Sequence, residues 1–371
     1  MTERRRLREP AIDHRGNNYA PHQKPSRSTK PRDAVNRVNL QGHVRTSAAE
    51  RSAVGLPSVT VCRATSDRTV TIVSDSGVIE TLVRTLQCRR MAELPALTDA
   101  EDLVALNATV DGRLIAVSAR GSRRDGLPDL RVRVHLHEAG GDWRAVVLTD
   151  VTIVPNKVDL LPDGSFLLVQ SRCVHRPFKP VPDNAQVFNA SGQALRSFRI
   201  GDGVEHLAVD EPGTIWVGYF DEGIYSGDPL SAGGLARFDE YGRQLWTYWP
   251  PSGFDHIATC YALNVGARTA WAYYYTGFPL VRITDTEVRP FPPGPVRGAR
   301  AVLIHDNVVI FIGGYGTPHQ LTECRLHDGT IVEHGPATLT PLKKINVVST
   351  RGSRLYARST HSVFQADVAD C

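Results

Sequence analysis

A strand–turn–strand unit recurs six times along this chain of 371 residues. In each copy an apolar segment leads into a turn containing Gly or Asn, and a second apolar segment follows. The copies are residues 103–117, 158–169, 204–220, 258–274, 301–312 and 345–357. Their turn residues are 41 to 53 positions apart, and self-similarity at such a period is typical of repeat architectures. No amphipathic helices separate the strands, which excludes a βαβ fold and favours a β-propeller.

The segment 204–249 shows how one complete blade is encoded. It contains four short runs rich in β-branched and aromatic residues, two joined at Pro212-Gly213 and two at Gly242. Short runs of this composition, bounded by turn formers, are the signature of strands. Second hairpins of the same kind occupy residues 131–148, 185–200, 280–291 and 321–333. Each repeat therefore predicts one four-stranded blade.

The two ends of the repeat region predict how the ring closes. The last copy lacks a full second hairpin, because only residues 362–368 offer a further strand. Strand candidates at 59–62, 69–74 and 78–84 supply pieces of the missing kind, and residues 86–101 read as an irregular link. Pairing N-terminal with C-terminal strands removes both open edges. We therefore predict an all-β domain over 57–371 with six blades, or alternatively seven, closed by strands from residues 58–84.

Residues 1–56 differ from the rest in charge and composition. Through Arg51 the chain has 12 basic and 5 acidic residues, and the remainder has 31 and 34. The segment is rich in Arg, Pro, Asn and Ser and has few large apolar residues, so it predicts a disordered basic tail. Such a tail is either a solvated segment or an electrostatic arm for nucleic acid or acidic partners. The mildly acidic body disfavours nucleic acid as its own partner.

Cysteine usage and hydropathy indicate a compartment. The six cysteines are scattered and include no Cys-x-x-Cys pair, which predicts buried thiols in a reducing compartment rather than disulfides or a zinc ribbon. No apolar run follows Arg4-Arg5-Arg6, and no stretch approaches the roughly 20 apolar residues of a membrane helix. We expect a soluble, cytoplasmic protein without a membrane partner.

Polar residues of certain loops are the candidates for a site. In each blade the loop entering the first strand and the loop leaving the second open on one face, around the channel. The entering loops include Asn156, Lys157 and Asp159. The candidate ligand-binding set is Glu205, His206, Tyr219, Asp221, Glu222, Asp255, His256, Tyr274, Arg297 and Tyr315. We expect a pocket at the channel mouth lined from at least three of the four charged loops in this set.

The acid–histidine pairs of this set suit more than one chemistry. Imidazole and carboxylate groups bind divalent metals and also act as general acids and bases. Alternatively, these groups cap strand ends and pair with neighbouring arginines. His135 and His137 alternate with Val134 and Leu136, a pattern that predicts a half-solvated strand rather than a zinc site.

Two segments carry a resemblance to known propellers. Residues 162–169 (Pro-Asp-Gly-Ser-Phe-Leu-Leu-Val) and 209–217 (Val-Asp-Glu-Pro-Gly-Thr-Ile-Trp-Val) resemble the blade consensus of NHL-repeat and SMP-30/gluconolactonase-like propellers. Residues 215–223, together with 234–239 and 260–265, are similar to a group of uncharacterised bacterial propeller proteins. The resemblance covers roughly residues 100 to 360 and implies a fold rather than an activity. The metal-binding lactonases of the SMP-30 group imply a Glu-Gly-Pro opening that supplies a ligand, and this chain has no such triplet.

Three functions stay open at this point. The first is a non-catalytic propeller that binds a small molecule or a protein partner at the channel face, favoured because Gly-x-Ser-x-Gly, Walker and His-Glu-x-x-His motifs are missing. The second is a metal-assisted hydrolase or lyase of the SMP-30-like type, by analogy of fold. The third is a nucleic-acid-associated protein that works through the basic tail. The sequence identifies no cofactor and no particular partner.

Overall fold

The computed structural model describes residues 83–121, 130–173, 180–285 and 287–370 with their side chains. It also gives the backbone of three earlier strands, Thr60–Arg63, Thr69–Ser74 and Gly77–Leu82. The described residues form six β-sheets that stand around a central channel as the blades of a β-propeller. The first strand of each blade contacts the first strands of both neighbouring blades, so the six blades close into a ring.

Blades 1, 2 and 3 are four-stranded antiparallel sheets that run in chain order from the channel outward. Blade 1 consists of Asp102–Ala108, Leu114–Arg120, Arg131–His137 and Trp143–Val147. Blade 2 consists of Lys157–Leu160, Phe166–Val169, Ala185–Phe188 and Ala194–Phe198. Blade 3 consists of Val204–Val209, Ile215–Tyr219, Leu235–Phe238 and Gln244–Thr247. A short helix, Asp221–Ile224, follows the second strand of blade 3.

Blades 4 and 5 continue the same order, and blade 6 takes three strands from this part of the chain. Blade 4 consists of Thr259–Val265, Ala270–Tyr275, Leu280–Ile283 and Val288–Phe291. Blade 5 consists of Ala301–His305, Val308–Ile312, Leu321–His327 and Thr330–Thr340. Blade 6 begins with Asn346–Arg351, Arg354–Arg358 and Ser362–Asp367, and a 3₁₀ turn, Val368–Asp370, follows it.

A short N-terminal segment, which we call the clasp (residues 84–93), completes two blades. Arg84–Gln87 pairs in parallel with the last strand of blade 5. Arg89–Glu93 pairs antiparallel with Ser362–Gln365 and becomes the fourth strand of blade 6. N-terminal closure is therefore present, but the prediction that strands of residues 58–84 supply it is wrong. Those strands form a separate three-stranded sheet, so the seven-blade alternative is also wrong.

The sequence conceals the clasp because its closing strand has no strand signature. Arg-Arg-Met-Ala-Glu contains no β-branched residue and no apolar alternation, and residues 86–101 were for that reason expected to be an irregular link. Its conformation comes from pairing with a strand at the far end of the chain, which overrides local propensity. The predicted tail at residues 1–56 lies outside the described residues, and the domain bounds stay a prediction.

The second strands of the blades carry most of the core. All residues of Phe166–Val169 and of Ile215–Tyr219 are buried, because each blade packs against a neighbour on both faces. Strands covered on both faces read as continuous apolar runs, which is why they stand out in the sequence. The third strand of blade 1 is covered in the same way. His135 and His137 are both 4% exposed, so the prediction of a half-solvated strand is wrong.

The turns between first and second strands share the lower face of the ring, as their common position predicts. Gly112 and Gly164 occupy these turns with φ of 94° and 83°, in the left-handed region that favours glycine. Arg354 donates to the carbonyl of Val110 at 2.6 Å and so joins the turns of blades 6 and 1. The entering and leaving loops consequently open on the opposite, upper face.

Two smaller predictions concern the cysteines and the membrane. Cys173, Cys260 and Cys324 are buried, Cys88 is half-buried, and all four are free thiols. Burial raises the pKa of Cys173 to about 12, so this thiol is unreactive at neutral pH. No helix among the described residues is long and apolar enough to span a membrane.

Candidate ligand-binding channel

A buried ion pair closes the lower end of the channel. Arg351 Nη2 lies 2.5 Å from Asp159 Oδ2, and both side chains are 1% exposed. Arg351 also donates to the carbonyls of Ala108 at 2.8 Å and Val209 at 3.2 Å. One guanidinium from blade 6 therefore ties together blades 1, 2 and 3. Burial raises the pKa of the Asp159 carboxyl, and the Arg351 guanidinium opposes that rise.

Two asparagines extend this polar floor around the ring. Asn107 and Asn264 stand next to last in the first strands of blades 1 and 4, the position that Asp159 has in blade 2. Asn107 donates to the carbonyl of Val158 at 2.9 Å. Asn264 donates to the carbonyl of Gly352 at 2.8 Å and accepts its N–H at 2.6 Å. Because these buried polar groups are hydrogen-bonded, they fix the blades relative to one another.

Four of the six first strands contain a β-bulge near the upper end. The bulged residues are Val104, Glu205, Tyr261 and Val348. A bulged residue is left out of the hydrogen-bonded ladder, and its side chain is re-aimed. Val104, Glu205 and Val348 line the channel, whereas the Tyr261 hydroxyl lies 2.8 Å from that of Tyr315 in blade 5. Three of the side chains that line the channel therefore belong to bulged residues, which have no partner in the strand pairing.

Between the floor and the upper face, the channel forms a cavity of about 500 Å³. Blades 1, 2, 3, 4 and 6 contribute to it, and its wall combines apolar with polar side chains, the polar atoms making up most of the exposed lining. The apolar lining residues are Leu103, Val104, Ala105, Leu106, Val158, Leu207, Ala208, Leu263, Val347 and Val348. The polar lining residues are Asn107, Asn156, Lys157, Glu205, His206, Ser349, Thr350, Arg351 and Arg358.

Glu205 and His206 belong to the first strand of blade 3 and lie at the rim of this cavity, and their role in ligand binding stays a prediction. His206 Nε2 lies 3.1 Å from the carbonyl of Cys260 and therefore donates to it. Burial lowers the pKa of His206, so the ring is uncharged at neutral pH. Lys157 Nζ donates to the main-chain carbonyl of Glu205 at 2.5 Å. Among the described residues the exposed Glu205 carboxylate has no ion-pair partner.

Two further polar groups stand at the rim. Arg358 ends the second strand of blade 6, is exposed, and makes no ion pair within the described part of the chain. Asn156 Oδ1 accepts from the Ser171 amide at 2.9 Å and from its hydroxyl at 3.0 Å. Its Nδ2 donates to no protein group in the same described ranges. Lys157 and Arg358 belong to blades 2 and 6, so they flank the apolar first strand of blade 1.

Two of the predicted tyrosines belong to the core instead of the cavity. Tyr219 and Tyr274 are fully buried. The Tyr219 hydroxyl donates to the carbonyl of Ile200 at 2.6 Å. The Tyr274 hydroxyl lies 3.0 Å from the carbonyl of Asp255 and 2.9 Å from the Tyr248 hydroxyl. Both residues lie in second strands, which are enclosed by neighbouring blades, and their expected place in the pocket wall is therefore wrong.

The predicted acidic and histidine groups of the outer upper loops also lie outside the cavity. Glu222 forms an ion pair with Arg172. Asp221 Oδ1 accepts the N–H of Glu222 at 2.8 Å. The exposed His256 ring meets Trp249 edge-on, with ring centroids 4.8 Å apart. Asp255 is also exposed, and its main-chain carbonyl accepts the hydrogen bond from the Tyr274 hydroxyl.

Arg297 and Tyr315 lie on the upper side of blade 5, next to each other in space. Arg297 donates to the carbonyls of Gly294 and Val296, and its own carbonyl accepts the Tyr315 N–H at 3.0 Å. The hydrogen bond between the Tyr261 and Tyr315 hydroxyls raises the pKa of Tyr261 to about 12, because it stabilises the protonated form of Tyr261. Of the four charged loops, only the one that contains Glu205 and His206 lines the channel cavity. The prediction that at least three of these loops line one pocket is therefore wrong for this cavity. Whether the outer residues contact a ligand stays a prediction.

The acid–histidine pairs do not come together as a metal site would require. Within the part of the chain that the structure describes, no three His, Cys, Asp or Glu side chains are grouped to hold an ion. Glu205 and His206 remain a pair on one strand, with the His206 Nε2 engaged by a carbonyl.

Sequence reasoning missed Arg358 and the bulged valines. Arg358 follows the apolar run Leu355-Tyr356-Ala357 at the end of a second strand, so the rule applied to the other leaving loops was sufficient to find it. The bulges give no such signal, because Val104 stands among apolar neighbours in Leu-Val-Ala-Leu. An extra residue in an apolar strand leaves the local pattern unchanged.

Three solved structures with similar folds have low sequence identity to this chain. A catalytically inactive virginiamycin B lyase of Staphylococcus aureus, solved with quinupristin, is 11% identical over 76% of this chain and 99% of its own, with a TM-score of 0.43. A candidate 6-phosphogluconolactonase from Bacteroides fragilis is 16% identical over 75% and 80%, with a TM-score of 0.39. A candidate gluconolactonase is 12% identical over 76% and 92%, with a TM-score of 0.33.

These similarities concern the fold alone. By sequence, no protein family and no curated protein matches the chain. The predicted six-bladed β-propeller architecture is confirmed by the six sheets of the described residues, and the resemblance to SMP-30 and gluconolactonase-like propellers concerns that fold.

Proposed function

We propose that this propeller binds a small molecule in its central channel without catalysing a reaction. The observation that carries the proposal is the cavity of about 500 Å³, whose lining combines apolar side chains with polar groups at the rim and the floor. Binding sites for small molecules are concave, mostly apolar and largely pre-formed, with few placed polar groups, and measure about 300–1,000 Å³. This cavity is concave, pre-formed and within that range of volume, and its lining is more polar than is usual for such a site.

The rigidity of the floor supports binding. Arg351, Asp159 and Asn264 connect several blades through buried hydrogen bonds, so the cavity does not need to be ordered when a ligand enters. A pre-formed site avoids the entropy loss that accompanies ordering of loops and side chains. The groups at the rim offer contacts for orientation, and none of the described ones forms a nucleophile–base pair.

A neutral fluorescent probe tests this proposal. N-phenyl-1-naphthylamine brightens in apolar surroundings, so we expect saturable binding to the purified protein. Ala105→Trp and Val348→Trp place a large ring in the cavity, since both residues line it, and should abolish binding. Val348 is a bulged residue without a ladder partner, so its substitution leaves strand pairing intact.

The matched control is Ala267→Trp, at an exposed turn of the lower face. It should bind the probe as the unmodified protein does. Circular dichroism and thermal unfolding show that all variants are folded. Equal probe binding by the unmodified protein and both cavity variants would place binding elsewhere and contradict the proposal.

The metal-assisted hydrolase or lyase stays the alternative prediction. It has less support, because Glu205 and His206 would need ligands from other loops, and the candidates there contact other groups. The third function, association with nucleic acid, depends on residues 1–56, which lie outside the described residues.

A further inference from the structure

Three loops above blade 5 form one surface on the upper face, outside the channel cavity. We call it the basic patch, and it consists of residues 292–300, 313–320 and 341–345. These loops enter blades 5 and 6 and leave the second strand of blade 5. The Tyr315 N–H donates to the carbonyl of Arg297 at 3.0 Å, and the Ile345 N–H donates to His319 Nδ1 at 3.3 Å. These hydrogen bonds join the three loops into a continuous surface.

The basic patch contains cations and no carboxylate. Its exposed cations are Arg297, Arg300, Lys343 and Lys344, and its sequence has no Asp or Glu. Within the described ranges none of the four forms an ion pair, and Arg297 donates to main-chain carbonyls. The loop that leaves the second strand of blade 3 has the opposite character, because it contains no Lys or Arg but has Asp221, Glu222 and Asp228. The mildly acidic balance of the chain after Arg51 therefore conceals a local excess of four positive charges.

Exposed aromatic rings border these cations. Tyr275 and Tyr315 are 45% and 61% exposed, and their rings pack against the buried Phe278 with centroids 5.5 and 5.6 Å away. Phe278 has a φ of 67°, which is costly for a residue other than glycine, and such residues cluster at functional sites. Gly298 lets the Tyr315 ring lie against the backbone, because a Cβ there would be 2.7 Å from Tyr315 Cδ1. The two tyrosine rings are thus held in place while much of their surface stays in contact with water.

We infer that the basic patch is a docking surface for an acidic polypeptide segment; this goes beyond the proposed function, because the patch and the cavity share no residue. Tyr and Arg are enriched where protein partners bind tightly, and complementary charge steers and orients a partner. Proline limits backbone freedom, so little ordering of the loops accompanies docking. The prolines of the patch are Pro292, Pro293, Pro295, Pro318 and Pro341. A polypeptide is favoured over nucleic acid because the acidic loop of blade 3 shares the upper face and repels a strand with a phosphate at every nucleotide.

A fluorescein-labelled dodecapeptide of Glu-Glu-Phe repeats tests the inference by fluorescence anisotropy with the full chain. Its affinity should fall as NaCl is raised, since salt screens exposed charges. Lys343→Gln combined with Lys344→Gln should weaken binding about threefold to tenfold. The matched control, Arg144→Gln combined with Arg268→Gln, removes two exposed charges outside the patch and should weaken binding about twofold at most. Residues 1–56 are present in every variant, so any binding by them cancels in this comparison.

Tyr315 distinguishes a docking surface from general attraction between charges. Tyr315→Ala should weaken binding of the acidic peptide about fivefold or more, because exposed aromatic anchors carry much of the binding energy at interfaces. Tyr315→Phe retains the ring and should bind the peptide within about twofold of the unmodified protein. Circular dichroism and thermal unfolding show that the variants are folded.

Two results would overturn the inference. One is equal weakening by the lysine pair and the control pair, or an unchanged affinity of Tyr315→Ala. The other is a dT oligonucleotide of the same length that binds more tightly than the peptide and loses affinity with the lysine substitutions, which would identify nucleic acid as the partner. The proposed function is tested separately, because the neutral probe reports on the channel.

Discussion

The buried ion pair of the floor predicts a large loss of stability when Arg351 is removed. Arg351→Met leaves the Asp159 carboxyl 1% exposed without its cation, and it leaves the carbonyls of Ala108 and Val209 without their guanidinium donors. Removal of one partner of a buried pair typically costs about 3–5 kcal/mol. We therefore expect the free energy of unfolding, measured in urea at pH 7.5, to fall by about 3–5 kcal/mol.

The pH dependence of this variant follows from the same carboxyl. Without Arg351, burial is opposed only by the main-chain amides of Leu160 and Val209, and the pKa of Asp159 rises further above its unfolded value. A carboxyl with a raised pKa in the folded state holds its proton where the unfolded chain has lost it. Its contribution to stability is then present at low pH and is lost as the pH rises through the folded pKa. The deficit of Arg351→Met relative to the unmodified protein should shrink on acidification, by at most about 1.4 kcal/mol per pH unit.

A double variant separates loss of the pair from loss of packing. Asp159→Asn combined with Arg351→Met removes the stranded charge and should recover part of the stability, because the asparagine still offers one acceptor to the N–H of Leu160 or Val209. A deficit below about 1 kcal/mol for Arg351→Met, or a double variant as unstable as the single one at every pH, would refute the reasoning.

Three further predictions concern the ring and the alternative function. Deletion of residues 1–56 should leave the melting temperature unchanged, whereas deletion through Glu93 removes the clasp and should lower it by about 10 °C or more; similar values for both deletions would contradict the role of the clasp. Gly203→Ala should destabilise by about 2–5 kcal/mol in urea, because its Cβ would lie 2.4 Å from Gly223 Cα at a φ of 71°. Gly164→Ala, with a similar φ and open space around it, should cost only about 1–2 kcal/mol, and an equal loss would argue against the steric explanation. Zn²⁺ or Mn²⁺ should cause no concentration-dependent rise in melting temperature, and a rise would favour the metal-assisted alternative.

The blades were predictable because their signal is local. Strands enclosed by neighbours must be apolar throughout, and the turns at Gly112 and Gly164 require left-handed backbone, so strand and turn alternate visibly in the sequence. The closing strand Arg89–Glu93 was not predictable in this way. Its partner Ser362–Gln365 lies at the opposite end of the chain, and no property of its own five residues encodes the pairing.

The same distinction between local sequence signals and contacts between strands applies to the candidate site. Glu205 and His206 were selected because a charged pair beside an apolar run is conspicuous, and both line the cavity, although ligand binding by them stays a prediction. Tyr219 and Tyr274 were misplaced because an aromatic ring at a strand end has the same appearance whether it faces a channel or a neighbouring blade. The apolar side of the cavity depends on bulges at Val104 and Val348, and a bulge is a matter of register between strands, which sequence pattern does not record.

The clasp also has a consequence for the order in which the molecule is made. Residues 84–93 leave the ribosome early, yet the strand Ser362–Asp367 that pairs with Arg89–Glu93 is synthesised after all the other blades. Until then blade 6 is incomplete, and the ring has two unpaired edges. Contacts between such distant segments form slowly, and unpaired edges promote association between chains. Nascent chains that stall before Ser362 should therefore be the species of this protein most dependent on chaperones.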